Sequence, residues 1–162
     1  MIVVADASPL IFLVKIRRLG LVHRLLGRDI RVPRAVRNEV LAPGIDPAEE
    51  DLLRAFLKTC RIETVRRPRR FATCMSLADN EALTLALRIH ADMILCDERA
   101  MRVMAEYEGV RPLGTLGLII KAARRNIVTP SDAKQAVDTL IRSHGLRVGV
   151  EVYQAVLTAL ES

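Results

Sequence analysis

The chain has no tryptophan, only two tyrosines and three phenylalanines in 162 residues. That leaves no series of rings on which unpaired bases would stack, although it excludes neither RNA nor DNA as a partner. Cysteine is also scarce. Cys60, Cys74 and Cys96 are odd in number and form no CxxC pair, so neither a disulfide framework nor a cysteine-type zinc site is expected, and a reducing cytoplasm fits best. The three histidines, His23, His90 and His144, are scattered singly, with no HExxH and no nucleophile–base pairing. Long hydrophobic runs are missing as well. Lys15, Arg61, Arg88 and similar residues interrupt every apolar stretch before the roughly 18 residues of a membrane span. The apolar N-terminus has no basic leader, contains Asp6 and shows no small-residue cleavage site, so it reads as a first strand and not as a signal peptide. A soluble single domain over residues 1–162, without repeats or linkers, is expected.

What remains is apolar and basic. Hydrophobic residues make up 51% of the chain, the formal net charge is +6, and nearly all the positive charge is arginine. Arginine suits bidentate phosphate contacts, so nucleic acid is a natural partner. A merely solvated basic surface explains the same balance.

Two stretches break the usual pattern. MIVVAD opens the chain, and MILCDE nearly repeats it ninety residues later. Each is a short Ile, Val and Leu run of the kind buried on both faces of a sheet, and each ends on a carboxylate. Between and after them the sequence alternates strands with helices. SPLIFLVKIRRL has helical spacing, with Ser8 as cap and Pro9 at the first helical position; DIRVP is a strand; PRAVRNEVL and PAEEDLLRAFLKT are helices. RIETV is a strand, VRRPRRF a basic loop, and SLADNEALTLALRIH a helix opened by a Ser-x-x-Asp capping pattern. After MILC come ERAMRVMAEYEG, the short strand VRPL, GTLGLIIKAARRN stopping at Asn126, and two final amphipathic helices.

This alternation predicts a three-layer α/β/α fold around a mostly parallel sheet of four to five short strands. Ligands in such folds bind beyond the carboxyl ends of the strands, where Asp6 and Asp97 fall. If their strands are neighbours, both carboxylates enter one crevice. Two close carboxylates share a proton or take a cation, and Asp6, Glu39, Glu81, Asp97 and Glu98 offer oxygen ligands suited to Mg²⁺ or Mn²⁺. Simpler roles exist for all five. Asp6 and Asp97 are equally good helix caps, Glu39 and Glu81 ordinary solvated glutamates, and Glu98 a first-turn residue favoured by the helix dipole. Asp79 is better read as part of the cap than as a ligand.

The ordered motifs DASPLI, VPRAVRNEV, NEALTLAL, CDERAMR and GTLGLI resemble the PIN-domain nucleases, in particular the PIN-like toxin branch labelled a domain of unknown function. The resemblance implies a PIN-like α/β fold, metal-dependent ribonuclease activity, and a VapC-like toxin encoded beside a small antitoxin. It assigns metal-binding acids to Asp6, Glu39, Glu81 and Asp97 and a ligand- or water-orienting hydroxyl to Ser8; Glu98 stands where relatives often have a second aspartate and is a further metal candidate. It also marks Thr115, in Gly-Thr-Leu-Gly, where a helix start is suited to a phosphate contact. Asn80 stands where relatives commonly have glycine, and a left-handed backbone there would suit asparagine.

The expectation is therefore a Mg²⁺- or Mn²⁺-dependent endoribonuclease of two-metal type, cytoplasmic, homodimeric and paired with an antitoxin. Arg66, Arg67, Arg69 and Arg70 are candidates for RNA backbone contacts, or equally a solvated loop. The rivals are a DNA or flap-type repair nuclease and a catalytically silent PIN-fold module. A phospho-acceptor domain would need a lysine near the last strand, and Lys121 is poorly placed.

Overall fold

The computed structural model describes residues 1–162 and contains five strands and nine helices. In chain order these are β1 (Val3–Ala5), α1 (Ala7–Lys15), α2 (Gly20–Leu26), β2 (Ile30–Pro33), α3 (Arg34–Val40), α4 (Pro47–Lys58) and β3 (Arg61–Glu63). They are followed by α5 (Leu77–Arg88), β4 (Met93–Leu95), α6 (Arg99–Tyr107), β5 (Arg111–Leu113), α7 (Thr115–Arg124), α8 (Pro130–Ser143) and α9 (Val150–Glu161). All strand pairings are parallel, in the order β3-β2-β1-β4-β5.

Strand order follows strand composition. Every residue of β1 and β4 is buried, as their unbroken Val, Ile and Leu runs require, and these two strands lie side by side in the sheet. The mixed sequences of β3 and β5, with Arg61 and Arg111 exposed, occupy the edges. From β1 the chain winds outward through β2 to β3, then returns to β4 and winds outward the other way. The topological switch therefore falls between β1 and β4, where open α/β sheets form their ligand crevice. Helices cover both faces, giving the three-layer architecture.

Thirty-five buried apolar residues form the main core. A second cluster of eight, including Ile119, Val137, Leu140 and Leu160, joins α7 to the two C-terminal helices. No helix is long and apolar enough to cross a membrane.

Local chemistry sets most boundaries. Ser76 and Asp79 form a reciprocal capping box at the start of α5, and Asn126 stops α7 with φ 53°. The first helix begins earlier than its capping pattern suggests: Asp6, not Ser8, occupies the N-cap position, and Pro9 is the third helical residue. A proline is tolerated there because the first-turn amides have no intrahelical partner to lose.

Candidate functional site

Asp6 directly follows β1, and its amide continues the ladder by donating to the Leu95 carbonyl at 2.9 Å. The register Ala5↔Leu95 places Asp97 one residue farther along the neighbouring strand end. The two carboxylates thus enter one crevice at the switch point. Asp6 is only 1% exposed, yet its side chain forms no cap hydrogen bond and its Oδ1 has no partner. The capping explanation fails for this residue. Desolvation pushes its pKa from 3.8 up to about 7; the Ala7 amide opposes the shift, and the charges of Asp79, Glu39 and Asp97 add to it.

Asp97 is held firmly. The Thr115 amide donates to its Oδ1 and the Thr115 hydroxyl to its Oδ2, both at 2.7 Å. Burial raises its pKa, while Thr115 and the Arg102 guanidinium draw it back. The capping explanation is altered here: Asp97 binds the first residue of α7 instead of capping α6. Thr115, expected to receive a phosphate, has both donors committed to Asp97 and is wholly buried. Between the two acids lies Cys96, whose thiol is pushed up to about 12 by burial first and then by Asp6 and Asp97.

The other acids separate. Glu39, on the exposed side of α3, has its pKa raised by partial desolvation and then by Asp79, which places it on the same negative field. Asp79, read from sequence as a local cap, accepts from the Ser76 amide at 2.7 Å and also acts electrostatically on both Asp6 and Glu39. Glu81 turns elsewhere: its Oε2 accepts from the Ala35 amide at 3.3 Å, tying α5 to the first turn of α3. Glu98 is exposed at the start of α6, and Ser8 is half-buried one residue beyond Ala7 in α1.

The basic loop is a fixed strap. Asn80, Thr84 and Arg88 form one stripe on α5, at i, i+4 and i+8. Asn80 accepts from the Phe71 amide and donates to the Met75 and Ser76 carbonyls; Thr84 accepts from the Arg69 amide; Arg88 donates to the carbonyls of Arg66 and Arg67. Asn80 is thus helical, and its side chain, not a left-handed backbone, explains its presence. Arg69 pairs with Glu108 at 2.9 Å and lies 4.6 Å above the Phe71 ring. The anchors of Arg66 and Arg67 lie at the end of α5 opposite Asp79, roughly 13 Å along the helix axis. Arg70 is exposed beside a small cavity of about 280 Å³ lined by Phe71, Thr73 and Met75.

A buried, unpartnered carboxylate oxygen among further carboxylates fits a hard divalent cation. No three of these side chains converge into a finished ligand cage. Mg²⁺ does not need one, because it keeps several waters and takes one or two carboxylates.

The PIN-domain family model DUF3368 matches residues 2–162. The chain belongs to the PIN-domain family. No curated protein and no solved structure gives a significant match. PIN domains are generally metal-dependent nucleases, and the crevice of this PIN domain has the oxygen-rich chemistry such an activity needs.

Proposed function

We propose that this PIN domain is a Mg²⁺- or Mn²⁺-dependent endoribonuclease. The observation that carries the reading is Asp6: a wholly buried carboxylate with an orphaned oxygen, surrounded by Asp97, Asp79 and Glu39, at the switch point of a parallel sheet. Such a group is costly unless a cation completes it. Asp6 and Asp97 would hold the cation. Glu39 lies within the same field, and the resemblance adds Glu81, which would have to leave the Ala35 amide to join them. A bound divalent ion would supply the acidified water and the charge stabilisation that phosphodiester hydrolysis requires.

The residues of the chain divide the remaining work. Thr115 keeps Asp97 in one rotamer, so its carboxylate is oriented before substrate arrives. Burial at the strand ends excludes water around Asp6 and strengthens every interaction it makes. RNA as substrate is supported by the net charge of +6 and by exposed Arg66, Arg67 and Arg70 on an ordered strap. The toxin role, with an antitoxin partner and a homodimer, is supported by apolar side chains left on the surface, including Tyr107 at 83% and Val150 at 77% exposure.

The test combines a melt with a cleavage assay on single-stranded RNA and DNA. Mn²⁺ should raise the melting temperature, and RNA should be cut into fragments bearing 5′-phosphates. Preference for DNA would favour the repair-nuclease reading. A melting temperature indifferent to millimolar metal would count against any catalytic PIN domain here.

A further inference from the structure

The crevice is acidic, and its substrate is an anion. A cation belonging to the chain itself would relieve that conflict, and only particular arginines are free to serve. Lys15, Arg31, Arg54 and Arg69 are committed to ion pairs with Glu49, Asp29 and Glu63, Glu50, and Glu108 respectively. Arg88 is spent on the strap.

Arg102 differs from all of these. It lies in the first turns of α6, is exposed, and belongs to no ion pair within 4.0 Å. Its guanidinium lies against Gly114. A Cβ on Gly114 would meet Asp97 Oδ1 at 3.0 Å and Arg102 Nη1 at 3.1 Å, so carboxylate and guanidinium flank the same small space. Glycine at this position lets the guanidinium lie over the end of β4. Asp97 accepts from Thr115 on both oxygens, and the exposed Arg102 side chain makes no hydrogen bond or ion pair of its own. A planar fork of free N–H groups at the mouth of a carboxylate crevice matches the non-bridging oxygens of a phosphodiester.

We propose that Arg102, seated across Gly114 from Asp97, contacts the backbone phosphate of the nucleic-acid strand that enters the crevice. The assignment rests on the nuclease reading above for its substrate, and it adds a specific phosphate-binding residue outside the acidic set. Arg102 is a binding residue; Asp97 and Asp6 retain the metal role.

The experiment separates the two readings by measuring binding apart from cleavage. A fluorescein-labelled single-stranded RNA oligonucleotide is titrated with the full chain in Ca²⁺, across a series of salt concentrations, for wild type, Arg102→Ala and Arg102→Lys. Loss of one single-strand phosphate contact should lower the slope of log affinity against log salt by about 0.7. Arg102→Ala should show that drop together with roughly tenfold weaker binding at low salt. Arg102→Lys should recover the slope but only part of the affinity, since lysine cannot form the bidentate fork. The Mn²⁺-induced rise in melting temperature should be unchanged in both variants.

Wild-type affinity and slope in Arg102→Ala overturn the proposal, as does a wild type that binds no oligonucleotide at low salt. Normal RNA binding with a lost Mn²⁺ response would instead make Arg102 a prop for Asp97, again overturning it. If wild type binds RNA in Ca²⁺ but cuts neither RNA nor DNA in Mg²⁺ or Mn²⁺, the nuclease reading fails, while the binding comparison still decides Arg102.

Discussion

The ends of β1 and β4 have nearly the same sequence and opposite chemistry. Asp97 receives two short hydrogen bonds from Thr115 and has Arg102 nearby; Asp6, one strand away, has an oxygen with no partner at all. One carboxylate is completed by the protein and the other is left incomplete. The contrast sets, in a single crevice, a rigid anchor beside a carboxylate that a bound cation would complete. Desolvation raises both residues, Asp6 to about 7, while the Thr115 bonds and Arg102 oppose the shift at Asp97.

Removing either carboxylate should have the largest effect, and stability should tell the two apart. Asp6→Asn and Asp97→Asn should each lower RNA cleavage by about a thousandfold or more, since an amide is a poor ligand for a hard cation. In metal-free protein at pH 8, Asp6→Asn should melt higher than wild type, because it removes a buried unpaired charge. Asp97→Asn should melt close to wild type, its amide still accepting from the Thr115 amide and donating to the Thr115 hydroxyl. The pH dependence has a definite sign. The unfolded chain releases the Asp6 proton near 3.8, whereas the folded chain keeps it to about 7. The Asp6 contribution to apo stability therefore falls as pH rises between these values and is level above them, with a total on the order of 4 kcal/mol. Melts from pH 4 to pH 9 should show the slope in wild type and a much shallower one in Asp6→Asn, where only the raised Asp97 and Glu39 still contribute. Equal slopes would mean that Asp6 is not the group that titrates.

A substitution at Thr115 should make the two strand ends more alike. Thr115→Val keeps the volume of a wholly buried side chain and removes the hydroxyl that donates to Asp97 Oδ2. Hydrogen bonds to charged groups contribute about 1.5–3 kcal/mol, so a loss near 2 kcal/mol is expected, read from urea denaturation. Cleavage should fall roughly tenfold, because Asp97 keeps its charge and its bond to the amide but loses its fixed rotamer. An unchanged rate with lowered stability would make Thr115 purely structural.

The parallel α/β/α architecture and the position of Asp6 and Asp97 at strand ends were legible in the sequence, because charge at the end of a doubly buried strand contradicts its surroundings and such contradictions are visible locally. That β1 and β4 are neighbours was not, since pairing depends on the whole sheet order. Nor were the partners. Asp79 looked complete as a capping-box residue, and its second role depends on where α5 lies relative to β1. Glu81 meets an amide 46 residues away, a contact no spacing rule predicts. Arg102 lies against Gly114, twelve positions further on, a proximity no spacing rule predicts. Asn80 invited a backbone explanation, although its side chain holds the strap. The arginine loop was read correctly as exposed, but its order comes from three α5 side chains whose partners lie 9 to 22 residues earlier.

The smallest expected effect concerns the two acids of α5, and it sharpens the account of what surrounds Asp6. Asp79 acts on Asp6 and Glu39 through space, whereas Glu81 is bonded to Ala35. Asp79→Asn should therefore move the Asp6 titration downward, observable by carboxyl-carbon NMR in metal-free protein, and weaken the Mn²⁺ response by a few-fold. Its cost to the helix should be small, because asparagine can still accept from the Ser76 amide. Glu81→Gln keeps an oxygen for the Ala35 amide, so stability should change by less than about 1 kcal/mol, and the Asp6 titration should stay in place. The opposite result is informative: a lost Mn²⁺ response in Glu81→Gln, with Asp79→Asn behaving as wild type, would show that Glu81 swings away from Ala35 to join the cation, as the family resemblance implies. The incomplete strand end at Asp6 would then be completed by a side chain that the metal-free crevice holds elsewhere.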